Sequence, residues 1–516
     1  MNIKITPKVL NTATIGIIIY LLCFGIAMTY FPIRPFWNDE WRLIYNLKFK
    51  NVSQLWGTLD LLQQCPRFYL TALKGFTSWF DYSYTSLRLP SLLIGMATIP
   101  FCFYLRKKIF PDSPLFSYLF ILILVSSQTF TDYLVQVKHY NMEIFLCLLA
   151  LWQFVTLLEL GHDEKVNKSN YGLLCFSFLV APFFSYTYPI VIAPVIAIVI
   201  LKAIISYKNK QQNKAQLVVQ LLPLVIVAAS IVIFYFIDVR QLLSDNRMYQ
   251  SYLKMLGNEK GETHFMADFW NLFALLGSGF VYEIIFGITG IAAFIYGIYR
   301  LAASRKRTFT QQDYFKLYAI LLVVLTITLI FSGKLLGGVA RLTAFTIPSI
   351  SILIISFFED MRVKYHYIKP VNSFAAVLFI GLFGNIFTTC IHTFAKEDYN
   401  NRITTYWNTS EALKQARLNK IPILFTDGVK GYKINQDAPA PGKISINTIT
   451  PEQIRGADDL CSEVVLKVNP EFKTWDSVKV YLMPDTKWTN EYINQLPTSV
   501  TKVLVGDGTS FRLVSR

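Results

Sequence analysis

Charge is what this chain has least of. Only 16% of its 516 residues are Asp, Glu, Lys or Arg, against roughly 25% in an ordinary soluble domain, so a soluble enzyme of usual composition is excluded. Histidine is scarce as well: five residues, with no HxxxH spacing, which argues against a histidine-rich metal site. The seven cysteines form no CxxC pair. Cys23, Cys102, Cys147, Cys175 and Cys390 fall in or beside apolar runs, where cysteine acts as a small hydrophobe. Only Cys65 and Cys461 fall in segments expected outside the membrane, and a disulfide between them stays open. No cleavable leader is expected, because residues 1–10 are short and basic and the apolar run after them is long enough to remain as a span. Nor is there a period of the kind that marks repeat arrays.

What the chain has in abundance is apolar surface, with 53% hydrophobic residues. Apolar runs near the ~20 residues needed to cross a bilayer recur along it, so the class is a polytopic membrane protein. The net charge of +16 invites a nucleic-acid reading. Much of the basic charge, however, sits in short clusters flanking apolar runs: Arg106-Lys107-Lys108, Lys202 with Lys208, Lys210 and Lys214, and Arg305-Lys306-Arg307. That is the positive-inside pattern, which orients a membrane protein. No nucleic-acid partner is expected.

Taken in order, the runs predict about eleven transmembrane helices. They fall near residues 12–30, 89–104, 115–125, 142–160, 171–184, 189–205, 217–237, 280–299, 317–331, 342–358 and 371–390. The N-terminus is then cytoplasmic and the C-terminus lies outside. The first outer loop, 32–87, is too polar to span but rich in Trp, Tyr and Phe at helical spacing, which predicts short amphipathic helices in the interface. The chain divides into a transmembrane domain, 1–394, and an outer domain, 395–516, where the composition turns soluble. Strand-like runs at 421–425, 478–482, 502–505 and 511–514, with a helical pattern at 410–418, predict a small extracytoplasmic α/β domain.

Four polar clusters are expected on the outer face: Asp39-Glu40, the 64–67 region, 132–140 and 334–341. A lipid-carried substrate presents its headgroup at that level. Glycosyl transfer from a lipid phosphate needs a carboxylate to take the proton of the incoming nucleophile. It also needs cations to hold the phosphate as it leaves. Asp39 can be that base, and Lys138 and Arg341 those cations, Arg341 being suited to a bidentate grip. Plainer readings stand beside these. Asp39-Glu40 reads equally as a solvated pair, Lys138 and His139 as interfacial anchors, Arg341 as a snorkelling flank and the aromatics as a membrane belt. A divalent ion between Asp39 and Asp132 stays open, since oxygen ligands from two loops leave no local motif.

Five local patterns carry a resemblance. They are Asn38-Asp39-Glu40; Cys65-Pro66-Arg67-Phe68-Tyr69; Arg88-Leu89-Pro90-Ser91 with Gly95; the run from Tyr133 to Asn141; and Gly337 to Arg341 with Pro348. In order and spacing the chain resembles the GT-C superfamily of multi-spanning glycosyltransferases, which includes protein O-mannosyltransferases and the aminoarabinose transferase of lipid A, and most of all their bacterial relatives. It departs from the pattern at Cys65, at Arg67 and at Gln136, where a Glu is often found. The last departure puts a metal site in doubt.

The resemblance implies a GT-C-like fold and transfer of one sugar, with inversion, from a polyprenyl-phosphate donor to a lipid, glycan or protein acceptor. The place is the outer leaflet of a bacterial inner membrane. The expected site then has Asp39 and Glu40 as catalytic residues. Lys138, Arg341 and Tyr140 hold the donor phosphate, and Asp132, Arg67 and Trp37 contact substrate. Two other classes remain: a transporter or flippase of lipid-linked glycans, and an envelope assembly protein acting through its outer domain. The few charges within spans, Glu143, Glu159 and Glu283 among them, favour chemistry at the surface over transport at the midplane.

Overall fold

In hydrocarbon a backbone must satisfy its own hydrogen bonds, so each apolar run here can only be a helix. The computed structural model describes residues 7–30, 38–59, 63–80, 82–111, 114–160, 168–241, 265–277, 280–303, 309–335, 340–364, 381–382, 384–386, 423–425, 478–481, 500–505 and 510–515. Among them the chain is an α-helical polytopic membrane protein. Seven helices are long and apolar enough to cross a membrane, with shorter apolar helices at Thr14–Ile26 and Phe116–Ser126.

The order is α1 (Pro7–Tyr30), α2 (Asn38–Phe49), α3 (Val52–Leu55), α4 (Arg67–Ser78), α5 (Tyr84–Ile109), α6 (Pro114–Ser126), α7 (Gln128–Tyr133), α8 (Tyr140–Leu160), α9 (Lys168–Val180), α10 (Tyr188–Lys208) and α11 (Lys214–Phe234). Helices Phe265–Ala274, Phe280–Ala303, Gln311–Phe331, Ala340–Thr343 and Ile347–Lys364 follow. The expected runs from 12–30 to 342–358 all fall on helices, while the eleventh, 371–390, lies almost wholly outside the described residues. Ends moved more than centres. The second span extends to Tyr84 and Ile109, and the seventh continues past Phe234 through a π-helical turn, Tyr235–Val239. Between α9 and α10 a 3-10 turn, Ala181–Phe184, replaces the end of the expected fifth span. Within residues 32–87, α2, α3 and α4 are short helices, as the aromatic spacing predicted.

Two units can be separated: residues 1–34 with 65–393, and residues 35–64 with 394–516. In the first, α5 packs along α8, α8 along α10, and helix Ile347–Lys364 against both Phe280–Ala303 and Gln311–Phe331. Its core is one cluster running from Ile17 to Ile386. Basic side chains among the described residues are tied at one end of this bundle. Lys108 Nζ meets Glu159 Oε1 at 2.7 Å, and the Arg106 guanidinium lies 4.1 Å from the Tyr118 ring centre. Asp360 receives Lys316 at 3.1 Å and Arg300 at 3.6 Å. These contacts gather at the helix ends that the positive-inside pattern predicts to be cytoplasmic.

In the second unit the described part of 394–516 is a four-stranded sheet, β1 (Ile423–Phe425), β2 (Val478–Tyr481), β3 (Val500–Val505) and β4 (Ser510–Ser515), in the order β1-β2-β4-β3. β1 and β2 run parallel, and the other pairs are antiparallel. The β3–β4 pair is the hairpin expected around Gly506-Asp507-Gly508; that turn and the expected helix at 410–418 lie outside the described residues.

Candidate active site

The site grows from the start of α4. Pro66 occupies the cap position and offers no side-chain acceptor for the first turn. Asp238 supplies one from 171 residues away: its Oδ2 accepts the Arg67 N–H at 2.8 Å. A carboxylate at a helix N-terminus also meets the positive end of the helix dipole. Asp238 Oδ1 lies 3.7 Å from Arg67 Nε, with both side chains 2% exposed. Tyr186 Oη sits 2.9 Å from the same carboxylate and 3.0 Å from the Cys65 carbonyl, so its one proton serves one acceptor at a time. Burial pushes the Tyr186 phenol well above its ordinary range, so it stays a donor. Arg67 Nη1 donates to that carbonyl at 3.3 Å. The π-turn at Tyr235–Val239 is what brings Asp238 into reach, an insertion of the kind that re-aims a side chain within a helix.

A second knot lies at the start of α8. His139 and Glu143 are one helical turn apart and share a face, with Nε2 and Oε1 3.5 Å apart. Glu143 Oε2 accepts hydrogen bonds from Ser185 Oγ and Thr187 Oγ1. Ser185 Oγ also accepts the N–H of Tyr188 at 3.0 Å, at the first turn of α10. On its other edge, His139 Nδ1 is 3.7 Å from Cys65 Sγ. Burial pushes the Cys65 thiol up to about 12, against the smaller opposing pull of Lys138 and Arg67. The thiol is therefore protonated at neutral pH, and the network assigns S–H to Nδ1 and Nε2–H to Glu143.

Lys138 lies between the two knots in sequence and is 4% exposed. Its carbonyl accepts from Tyr69 Oη at 3.0 Å and Ser91 Oγ at 3.1 Å. Tyr140 is buried, its ring centre 5.0 Å from His139 and 4.6 Å from Tyr133. Close approach of α5 to this corner needs Gly95, because a Cβ there would overlap Leu134 and stand 3.0 Å from Asn141 Nδ2. Three of the five patterns read from the sequence thus meet in one place: the Cys65–Tyr69 corner, the Arg88–Gly95 stretch of α5 and the 133–141 segment.

The remaining expected residues are placed as follows. Arg341 is half-buried in the short helix Ala340–Thr343, and the turn after it, Ala344–Thr346, packs on α8. Asp132 is half-buried in α7 and accepts from Gln128 Nε2 at 3.4 Å. Glu40 belongs to α2 and is buried, at 1% exposure. Asp39 is the second residue of α2, its side chain not among those described, and Trp37 lies outside the described residues. Among the described residues no three His, Cys, Asp or Glu side chains group to hold a metal ion.

Sequence reasoning did not select Asp238, Glu143, Tyr186, Ser185, Thr187, Tyr69 or Ser91 for the site. The usable signal was the two carboxylates at the ends of apolar spans. A buried carboxylate needs partners within reach, so Glu143 and Asp238 pointed to a polar pocket on the same end. Cys65 is a free thiol, and its burial carries an expectation. In a variant keeping only this cysteine, it resists maleimide at pH 7–8 in the folded protein and reacts once denatured, since the thiolate is the nucleophile. Labelling of the folded protein at the rate of a free peptide thiol would contradict the burial.

Comparison with known proteins finds no matching family by sequence and no curated protein that matches. Solved structures do match. ArnT from Cupriavidus metallidurans in the apo state is 12% identical, with 97% of this chain and 98% of that one covered and a TM-score of 0.52. The same protein bound to undecaprenyl phosphate gives 14%, 97%, 97% and 0.50. An archaeal oligosaccharyltransferase, AglB from Archaeoglobus fulgidus, in complex with an inhibitory peptide and a dolichol-phosphate, is 13% identical over 91% of this chain and 69% of that one, with a TM-score of 0.46. The likeness to ArnT covers 97% of this chain and 97–98% of that one, and this chain has the same fold.

Proposed function

We propose that this protein is a membrane glycosyltransferase that moves a single sugar from a polyprenyl-phosphate donor to an acceptor at the outer surface of a bacterial cytoplasmic membrane. The observation that carries the reading is the full-length likeness to ArnT, a fold solved with undecaprenyl phosphate bound. The buried cationic corner supports it. Lys138 sits at the end of the bundle opposite the tied basic side chains, with its backbone clamped from α4 and α5. The N-terminus is then cytoplasmic and the 395–516 domain, of α/β class, extracytoplasmic.

In the reaction, Asp39 takes the proton of the acceptor hydroxyl as its oxygen attacks the anomeric carbon with inversion, Glu40 standing beside it. The bond from that carbon to the phosphate oxygen breaks, and the lipid phosphate leaves with one more negative charge. Lys138 and Arg341 hold that charge as it develops, with the Tyr140 hydroxyl as a further donor. Asp132 and Trp37 contact the sugar or acceptor, and Arg67 lines the same corner while its charge is met by Asp238.

Mass spectrometry of envelope glycans and glycolipids, with and without the protein, tests this. Loss of one sugar unit is expected on deletion. An unchanged structure accumulating on the inner leaflet would replace transfer with flipping. A purified 395–516 domain that captures the acceptor by itself, with glycans unchanged, would point to an assembly role.

A further inference from the structure

Lys138 can hold a phosphate only if its own backbone is held, and the structure has a dedicated means of holding it. The carbonyl of Lys138 takes hydrogen bonds from Tyr69 on α4 and Ser91 on α5. The next residue, His139, is braced from both ring nitrogens, by Glu143 and by Cys65. Glu143 is in turn gripped by Ser185 and Thr187 from the turn that opens α10. Glu143 is 3% exposed, and its carboxylate meets two hydroxyl donors and, at 3.5 Å, the His139 imidazole, so this is a closed polar unit within a largely apolar bundle. Burying a carboxylate among hydroxyls and an imidazole is costly next to an apolar side chain of the same size. A purely structural contact between α8 and α10 would not require it.

We propose that Glu143 is a positioning residue for the donor-phosphate site, acting through His139 to hold Lys138 in place against the α10 turn. The inference rests on the reading of Lys138 as a phosphate ligand and adds the part of the molecule that aims it. Ser185 and Thr187 belong to the same device, because they orient the carboxylate whose other oxygen meets His139. Loosening a supporting group by as little as 1 Å costs on the order of a hundredfold where geometry decides the interaction.

The test is binding of undecaprenyl phosphate to the purified full-length protein, together with donor KM and kcat where transfer is measured. Glu143→Ala weakens lipid-phosphate binding by roughly tenfold or more and raises donor KM more than it lowers kcat, the mark of lost ground-state binding. Glu143→Gln keeps one oxygen to accept from both hydroxyls and turns its amide N–H to His139 Nε2. That nitrogen accepts once the imidazole takes the other tautomer and Nδ1–H faces Cys65 Sγ, so the variant stays within about threefold of the parent. Thr187→Val removes one hydroxyl at nearly constant volume and falls between them, which keeps the test open should Glu143→Ala not fold.

Equal binding by Glu143→Ala and the parent, at matched melting temperature, overturns the positioning role and leaves the glycosyltransferase reading intact. Glu143→Gln as weak as Glu143→Ala overturns it too, since charge rather than geometry would then matter. A parent protein that binds no lipid phosphate overturns the functional reading, and this inference with it.

Discussion

Asp39→Asn brings sugar transfer down to background while leaving expression, membrane insertion and the melting profile as they were. Asparagine matches aspartate in size, so packing in α2 changes little, but the amide takes no proton from an acceptor hydroxyl. General-base catalysis contributes roughly 10²–10⁴-fold. The loss falls in kcat, because the proton moves only as the glycosidic bond forms, and donor affinity is retained. The measurement is transfer from a polyprenyl-phosphate sugar by protein reconstituted in vesicles, parent against variant. Turnover within a few-fold of the parent would remove Asp39 from the mechanism, and Glu40, its buried neighbour, would be the next carboxylate to test.

The second large effect is on stability. Removing one partner of the Arg67–Asp238 pair leaves a charge at 2% exposure without its counterpart. Breaking a buried pair in this way costs about 3–5 kcal/mol. Asp238→Ala carries an added loss, because the same carboxylate caps the first turn of α4 and accepts from Tyr186. The expected result is a large drop in melting temperature of the detergent-purified protein for Asp238→Ala and for Arg67→Ala. Arg67→Met with Asp238→Leu recovers the part due to the unpaired charge, since an apolar pair of similar volume leaves no charge to desolvate, while the lost cap of α4 remains. Single variants that melt with the parent would show that the pair contributes nothing, and would return Arg67 to a purely substrate-facing role.

Much of the frame was legible beforehand for a simple reason. A span is a local property: ~20 apolar residues form a helix across a bilayer whatever surrounds them, so ten of the expected runs fall on helices, seven of them among the described residues long and apolar enough to cross. The expected orientation rests on Arg106-Lys107-Lys108 and its counterparts, again local in sequence. The short helices within residues 32–87 followed from aromatic spacing alone. Helix ends were less legible. Span seven was read as stopping near residue 237, and the π-turn that carries Asp238 inward has no sequence signature.

The site divides along the same line. That Lys138 and Arg67 belong to polar corners on one end of the bundle follows from their place between apolar runs, which the order of spans alone determines. What met them could not be read that way. Asp238 and Arg67 are 171 residues apart, and Tyr69 and Lys138 are 69 apart. Only the packing of α4 and α5 against α8 and the π-turn that continues α11 selects these pairs over the other polar residues on that end. The physical reason is one of range. Hydrophobic transfer acts on each segment by itself, whereas a buried charge is stabilised by hydrogen-bonding or oppositely charged partners within about 4 Å, and their identity is settled when helices distant in sequence come into contact.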